Sequence, residues 1–174
     1  MALKRESTER GQPRNYLSGE HPLGDTGQVV LAFLFFLSWF TNPVKLKWTV
    51  WFNHSVAPGT RIPVGMALLA ISGYLAAIGL YTVFVEHTEK PGVIRKRVFG
   101  LVRHPIYLSE ILLYLGLLII NLSFASAVVC VIAVLFLHHI SRHEERLLLV
   151  RFGEEYERYM REVPMWIPRW RKKR

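Results

Sequence analysis

Cysteine is almost absent from this sequence: Cys130 is the one cysteine in 174 residues, and it lies inside an apolar run. An intrachain disulfide and a cysteine metal cluster are therefore excluded, and we interpret Cys130 as a packing residue. No two glycines are separated by a single residue, so the glycine-rich turn of dinucleotide-binding α/β folds is also missing. Because no alternation of strand and helix patterns appears either, an α/β architecture of that type is not expected.

Charge is missing from two long stretches and nearly missing from a third. Residues 28–40 and 62–85 contain no Lys, Arg, Asp or Glu, and residues 105–140 contain only Glu110. The mean hydropathy of +0.23 is high for a chain with a formal net charge of +9. The two values fit together because the charges are concentrated in the loops and tails. Basic residues that flank apolar runs are typical of membrane proteins, so the positive charge does not predict a nucleic-acid partner.

The apolar runs predict an all-α fold, an integral membrane helical bundle with about four transmembrane helices. The predicted spans are 27–44, 62–85, 105–120 and 124–140. Pro43 is expected to end the first span, and residues 121–123 are expected to form the tight turn of an antiparallel hairpin. The second span contains small residues that permit close helix packing, namely Gly65, Ser72, Gly73, Ala76, Ala77 and Gly79.

The segments outside the spans are polar. Residues 1–27 are interpreted as a separate N-terminal segment without a cleavable signal sequence, which leaves residues 28–174 as the membrane domain. Residues 141–162 are strongly charged but keep apolar side chains at helical spacing, so they predict a C-terminal amphipathic surface helix. With four spans, 19 of the 22 Lys and Arg residues fall on one side of the membrane. The positive-inside rule then predicts a multi-pass protein with both termini in the cytoplasm.

Two polar motifs stand at the edges of the last two spans. Arg103-His104-Pro105-Ile106-Tyr107 leads into the third span, and Glu144-Glu145 follows the fourth. His104 and Tyr107 are three residues apart at a helix start and so share one face, and the N–H groups of a first helical turn favour an anion. A carboxylate about 4 Å from a cation gains roughly 4 kcal/mol at an effective dielectric of 20, before desolvation. On these residues alone, interfacial anchors and a solvated helix face remain alternatives to a binding site.

The same motifs continue into Phe152-Gly153-Glu154-Glu155-Tyr156, Val163-Pro164 and Ile167-Pro168. This order resembles the membrane methyltransferases that modify isoprenylated cysteine carboxylates and phospholipid amines, over about residues 86–168. The resemblance implies a methyltransferase that uses S-adenosylmethionine, with its cofactor-binding half at about 86–168. The acceptor would be lipid-like or lipophilic: an isoprenylcysteine carboxylate, a phospholipid amine or a thiol.

The resemblance also assigns roles to residues. Contacts with the cofactor are expected from His104, Pro105, Ile106, Tyr107, Glu144 and Glu145. Arg103 and Glu144 are the candidate catalytic residues, and Glu144 is the first choice as partner of the cofactor's cationic groups. The prenylcysteine enzymes have a substrate-binding arginine where this chain has Ile140, and Arg142 is the nearest substitute. Ser109 stands near a position where the family prefers glycine.

Several alternatives stay open. Glu110 is expected to pair with Arg103, which is seven residues earlier, although it could instead face the site. His139 and His143 have helical spacing, but no third ligand accompanies them, so no metal is expected. A sterol-reductase-like oxidoreductase with a nicotinamide cofactor and a non-catalytic membrane scaffold are the alternative functions. The sequence does not indicate an oligomeric state.

Overall fold

The structure is a computed structural model that describes residues 24–45, 56–86 and 92–168. Within these ranges the chain is all-helical, without a β-strand. The α-helices are α1 (Gly24–Lys45), α2 (Pro58–Tyr81), α3 (Pro105–Asn121), α4 (Phe124–Phe152) and α5 (Glu154–Glu162). A π-helical turn, Thr82–Glu86, extends α2, and a 3₁₀ turn, Arg97–Gly100, lies before α3. The polar N-terminal segment before residue 24 and residues 46–55 lie outside the described residues.

Helix α1 continues two residues beyond Pro43, so the prediction that this proline ends the first span is wrong. A proline inside a helix leaves the carbonyl four residues earlier without its N–H partner. Here that carbonyl belongs to Trp39, and it accepts a hydrogen bond from Asn121 Nδ2 at 3.2 Å. The indole of Trp39 in turn donates to the carbonyl of Leu117 at 2.9 Å. The end of α3 therefore satisfies the group that the proline would otherwise leave unpaired.

Helices α2 and α3 pack closely through small residues, as the composition of the second span predicts. Gly65, Ser72 and Gly79 are the buried residues of α2. A Cβ added at Gly65 would lie 2.8 Å from the carbonyl oxygen of Gly116, so the two backbones are nearly in contact there. Between Gly65 and Gly79 on α2, the hydroxyl of Ser72 donates to the carbonyl of Ser109 at 2.6 Å. Contacts of this kind let helices associate in an apolar solvent without large side chains between them.

The hairpin between α3 and α4 forms where the sequence predicts it. Helix α3 begins at Pro105, Leu122 adopts the left-handed conformation with φ 42°, and α4 begins at Phe124. Ser123 caps α4 by accepting the backbone N–H of Ser126 at 3.3 Å. In the middle of the bundle, Tyr114 of α3 packs with Phe35, Cys130 and Ala133 in a buried cluster that joins α1, α3 and α4. Cys130 is thus a packing residue.

The predicted boundary at residue 140 is wrong, because α4 runs without a break to Phe152. Residues 141–152 contain no glycine or proline, so nothing in this stretch interrupts the backbone hydrogen bonds. The break comes at Gly153, whose φ of 53° is a conformation that favours glycine. Only α5, a nine-residue helix, is a separate amphipathic element.

The helices have the lengths and compositions of a membrane bundle. Two of them are long and apolar enough to cross a bilayer, Pro58–Val85 and Phe124–Phe152, and two shorter apolar helices cover Thr26–Thr41 and Pro105–Asn121. Large apolar side chains remain exposed along their outer faces, for example Leu135 of α4 at 65%. The count of four spans and the cytoplasmic position of both termini stay predictions.

Candidate active site

A buried ion pair joins the start of α3 to α4. The guanidinium of Arg103 lies 2.9 Å from Glu145 Oε1, and the two side chains are only 9% and 2% exposed. His104 Nε2 lies 3.3 Å from the same carboxylate oxygen. Two residues that are adjacent in the motif before α3 therefore converge on one glutamate of α4. A buried carboxylate needs such partners, since burying an unpaired charge is costly.

Glu144, the neighbour of Glu145, makes a second set of contacts. Its Oε1 accepts a hydrogen bond from the phenol of Tyr107, and its Oε2 lies 3.6 Å from His104 Nδ1. The imidazole of His104 thus lies between the two carboxylates, and its ring is stacked on that of Tyr107 with centroids 5.6 Å apart. The side chain of Glu144 is 21% exposed, so this carboxylate is the more accessible of the two.

Residues after α5 lie against this cluster as an irregular strap, which we define as residues 163–166. The backbone N–H groups of Arg103 and His104 donate to the carbonyls of Pro164 and Met165, at 2.9 and 3.3 Å. Arg103 also donates to the carbonyl of Met160 in α5, at 3.0 Å. The N–H groups just before α3 are therefore already occupied.

Helix α5 is fixed to the segment before α3 by its tyrosines. The phenol of Tyr159 donates to the carbonyl of Phe99 at 2.7 Å, and the guanidinium of Arg95 lies 5.3 Å from the centre of the Tyr159 ring. Burial raises the pKa of both the Tyr156 and the Tyr159 phenol, and the nearby negative charge of Glu145 adds to the rise. Both phenols thus keep their protons at neutral pH.

Two buried polar atoms of this cluster, Arg103 Nε and Glu145 Oε2, have no hydrogen-bond partner. Two further buried atoms without a partner are Ser141 Oγ, one turn before Glu145 on α4, and Trp166 Nε1 in the segment after α5. Ser141 and Trp166 were missed by sequence reasoning. The spacing of four between Ser141 and Glu145 is the available signal for Ser141, because it places both on one helical face. For Trp166 the sequence gives no such signal; its ring lies 5.4 Å from that of His138 on α4, centroid to centroid. Buried polar atoms are normally paired, so unpaired ones on a cluster of this kind favour a ligand site.

The remaining predicted site residues lie around this cluster. Pro105 and Ile106 pack toward α2, where a Cβ added at Gly79 would meet Ile106 Cγ1 at 3.0 Å and Pro105 Cγ at 3.8 Å. The side chain of Arg142 is 62% exposed and lies 3.9 Å from Glu145 Oε2, at the edge of the cluster. Ile140, the alternative position for a substrate-binding arginine, is buried. A cofactor role for Pro105 and Ile106 and a substrate role for Arg142 stay predictions.

The expected pair between Glu110 and Arg103 is wrong, since Arg103 pairs with Glu145 and Glu110 accepts a hydrogen bond from Tyr114 at 2.6 Å. The reason is that α4 brings a closer carboxylate to the guanidinium, which no pattern within α3 can reveal. Within the described ranges, no group of three or more His, Cys, Asp or Glu side chains could hold a metal ion.

Comparison with known protein families places this cluster in context. The pattern of the phospholipid methyltransferase family matches residues 60–155, more than half of the chain and all of the Arg103, His104, Tyr107, Glu144 and Glu145 cluster. The chain belongs to this family. No curated protein and no solved structure matches it. Membership makes the chain a membrane methyltransferase and favours that function over an oxidoreductase or a scaffold.

Proposed function

We propose that this protein transfers a methyl group from S-adenosylmethionine to a lipid-like acceptor. The observation that carries the proposal is a convergence of side chains from two elements. Arg103 and His104, just before α3, and Tyr107 of α3 meet Glu144 and Glu145 of α4. These residues lie at one end of an apolar helical hairpin. A soluble cofactor reaches such a position from water, and an acceptor with an apolar tail reaches it from the bilayer.

The unpaired atoms of the cluster fit the amino-acid part of the cofactor. Glu145 Oε2 is an acceptor without a donor, and Arg103 Nε is a donor without an acceptor. An ammonium group would complete the first, and a carboxylate would complete the second. The two glutamates of the cluster are balanced by Arg103 and by Arg142 at its edge. A ligand that carries both an ammonium group and a carboxylate, as S-adenosylmethionine does, suits a cluster with charges of both signs.

S-adenosylmethionine, when bound, supplies a methyl carbon activated by its sulfonium. The protein's part is to hold the reactants and exclude water, which can supply most of the rate enhancement for a direct displacement. Tyr107 holds the Glu144 carboxylate by a hydrogen bond, and Arg103 holds that of Glu145. The strap and α5 hold Arg103, and the Arg103 and Glu145 side chains are 9% and 2% exposed, so these two charges act in a region with little water. In this scheme, Glu144 and Arg103 act on the reacting groups by electrostatic positioning.

The orientation of the chain is part of the proposal. The cluster lies at the ends of α3 and α4 that the distribution of Lys and Arg assigns to the cytoplasm. We therefore infer that the cofactor enters from the cytoplasmic side. We keep residues 28–174 as the membrane domain and about 86–168 as its cofactor-binding half.

The test is calorimetry with S-adenosylmethionine on the full chain in detergent. We expect binding in the micromolar range, about −8 kcal/mol. Glu144→Gln keeps the shape of the side chain but removes its charge, so the affinity should fall by about 1.5–3 kcal/mol. The matched control is Glu154→Gln, because Glu154 is exposed on α5.

Three results would contradict the proposal. No binding of S-adenosylmethionine at millimolar concentration would exclude the cofactor. Equal losses from Glu144→Gln and Glu154→Gln would show a general effect of surface charge. Tight binding of a nicotinamide dinucleotide in a parallel titration would favour an oxidoreductase.

A further inference from the structure

Glu110 is the one acidic residue between positions 105 and 140, and the site described above does not use it. It lies five residues beyond Pro105, the first residue of α3, which is about 7.5 Å along the helix axis. An ionisable side chain at such depth in a membrane segment is costly and usually has a functional role. Among the described residues, no cation forms an ion pair with it.

Tyr114 holds the Glu110 carboxylate in place. The phenol of Tyr114 donates to Glu110 Oε1 at 2.6 Å. Tyr114 is itself fully buried, and its ring lies 4.6 Å from that of Phe35, centroid to centroid. A fixed tyrosine thus fixes one oxygen of the carboxylate. Because Tyr114 is the partner that the described residues give to Glu110, the second oxygen is available to accept another hydrogen bond.

Glu110 lies on the same face of α3 as the candidate active site. Tyr107, Glu110 and Tyr114 are separated by three and four residues, a spacing that aligns side chains along a helix. Tyr107 contacts Glu144 of α4, and Tyr114 packs with Cys130 and Ala133 of the same helix. Glu110 is therefore one turn deeper in the apolar hairpin than Tyr107.

We propose that Glu110, oriented by Tyr114, accepts a hydrogen bond from the nucleophilic group of the methyl acceptor. The inference rests on the proposed function. A carboxylate in this place favours an acceptor whose head donates a hydrogen bond, such as an amine or a hydroxyl. It disfavours an ionised carboxylate acceptor, because such a group has no hydrogen to donate to the available oxygen of Glu110. Glu110 is then a specificity-determining residue, and the acceptor of this protein is of the donor-bearing class.

The experiment compares three probes with the same tail: dodecylamine, dodecanol and dodecanoic acid. Their binding to the purified full chain in detergent is measured by calorimetry without added cofactor. Wild-type protein should bind the amine at least about tenfold tighter than the acid, with the alcohol between them. Glu110→Gln keeps a hydrogen-bonding side chain without the carboxylate. In this variant the ratio of the affinities for dodecylamine and dodecanoic acid should fall to about threefold or less. Tyr114→Phe keeps the carboxyl group of Glu110 but removes the hydrogen bond that orients it. It should lower the ratio of the affinities for amine and acid by a smaller amount.

The affinity for S-adenosylmethionine is measured separately in each variant and should stay within about twofold of wild type. Failure of the proposed function would appear as absent cofactor binding in the wild-type protein, whatever the probes do.

The matched control is Glu154→Gln, which should leave the ratio between amine and acid affinities unchanged. The proposal is overturned if dodecanoic acid binds as tightly as dodecylamine, if no probe binds, or if Glu110→Gln leaves the ratio unchanged. A Tyr114→Phe variant that behaves as wild type would remove the orienting role of Tyr114.

Discussion

Helix α3 has two faces that are held in different ways. On the face toward α2, Ser109 and Gly116 meet Ser72 and Gly65, and the backbones approach so closely that a single Cβ does not fit. On the face toward α4, Tyr107 and the preceding Arg103 and His104 reach across to carboxylates. The first contact depends on small volume, and the second depends on charge.

The difference explains how one helix can serve both the fold and the site. A contact between backbones is rigid, since no side chain can change rotamer to accommodate a shift. That rigidity fixes the start of α3, where Pro105 and Ile106 also pack near Gly79. The polar face is then presented to α4 in one position, which is what a binding site requires. Added volume should therefore damage the α2 contact, and loss of charge should damage the α4 contact.

The largest effect is expected from Glu145→Gln. Arg103 is 9% exposed, and removal of the partner's charge would leave a buried guanidinium uncompensated. Such losses typically cost about 3–5 kcal/mol. Thermal unfolding of the variant in detergent should therefore occur at a clearly lower temperature than that of the wild-type protein.

The double variant Arg103→Met with Glu145→Met tests the reason for that effect. It removes both charges, so it should be more stable than Glu145→Gln alone. If Glu145→Gln unfolds at the temperature of the wild-type protein, then the pair does not hold α3 against α4.

A smaller effect is expected from Gly65→Ala. Its Cβ would lie 2.8 Å from the carbonyl oxygen of Gly116, and overpacking of this kind costs about 1–3 kcal/mol. Gly73→Ala is the matched control on the same helix, because an added Cβ there meets nothing within 4 Å. Unfolding curves of the two variants should differ, and equal stabilities would show that the close contact between α2 and α3 is not required.

The smallest effect is expected from Tyr159→Phe, which removes the hydrogen bond to the carbonyl of Phe99. One neutral hydrogen bond contributes about 1 kcal/mol, so the unfolding temperature should fall slightly. Tyr74→Phe, on an exposed part of α2, is the control. A shift of the same size in both variants would contradict a role for Tyr159 in holding α5 over the cluster.

Much of the helical framework could be predicted from local signals. Proline at position 105 and the turn at 121–123 gave the correct starts of α3 and α4. The errors came where a distant group decided the outcome. Asn121 compensates for Pro43 in α1, and Glu145 replaces Glu110 as the partner of Arg103. Local patterns carry no information about these partners, which are 78 and 42 residues away in the sequence.

The sequence by itself determined an all-helical membrane bundle and the two motifs that carry the site, because hydrophobic runs and helix-start residues act locally along the chain. Only the tertiary structure decided which residue of each motif is buried and which stays accessible. Adjacent glutamates follow one another in the sequence, yet Glu145 becomes buried under Arg103 while Glu144 stays accessible beside Tyr107. The physical reason is the helix itself: successive residues point about 100° apart, so only the packing of α4 against α3 and the strap determines which carboxylate loses its water.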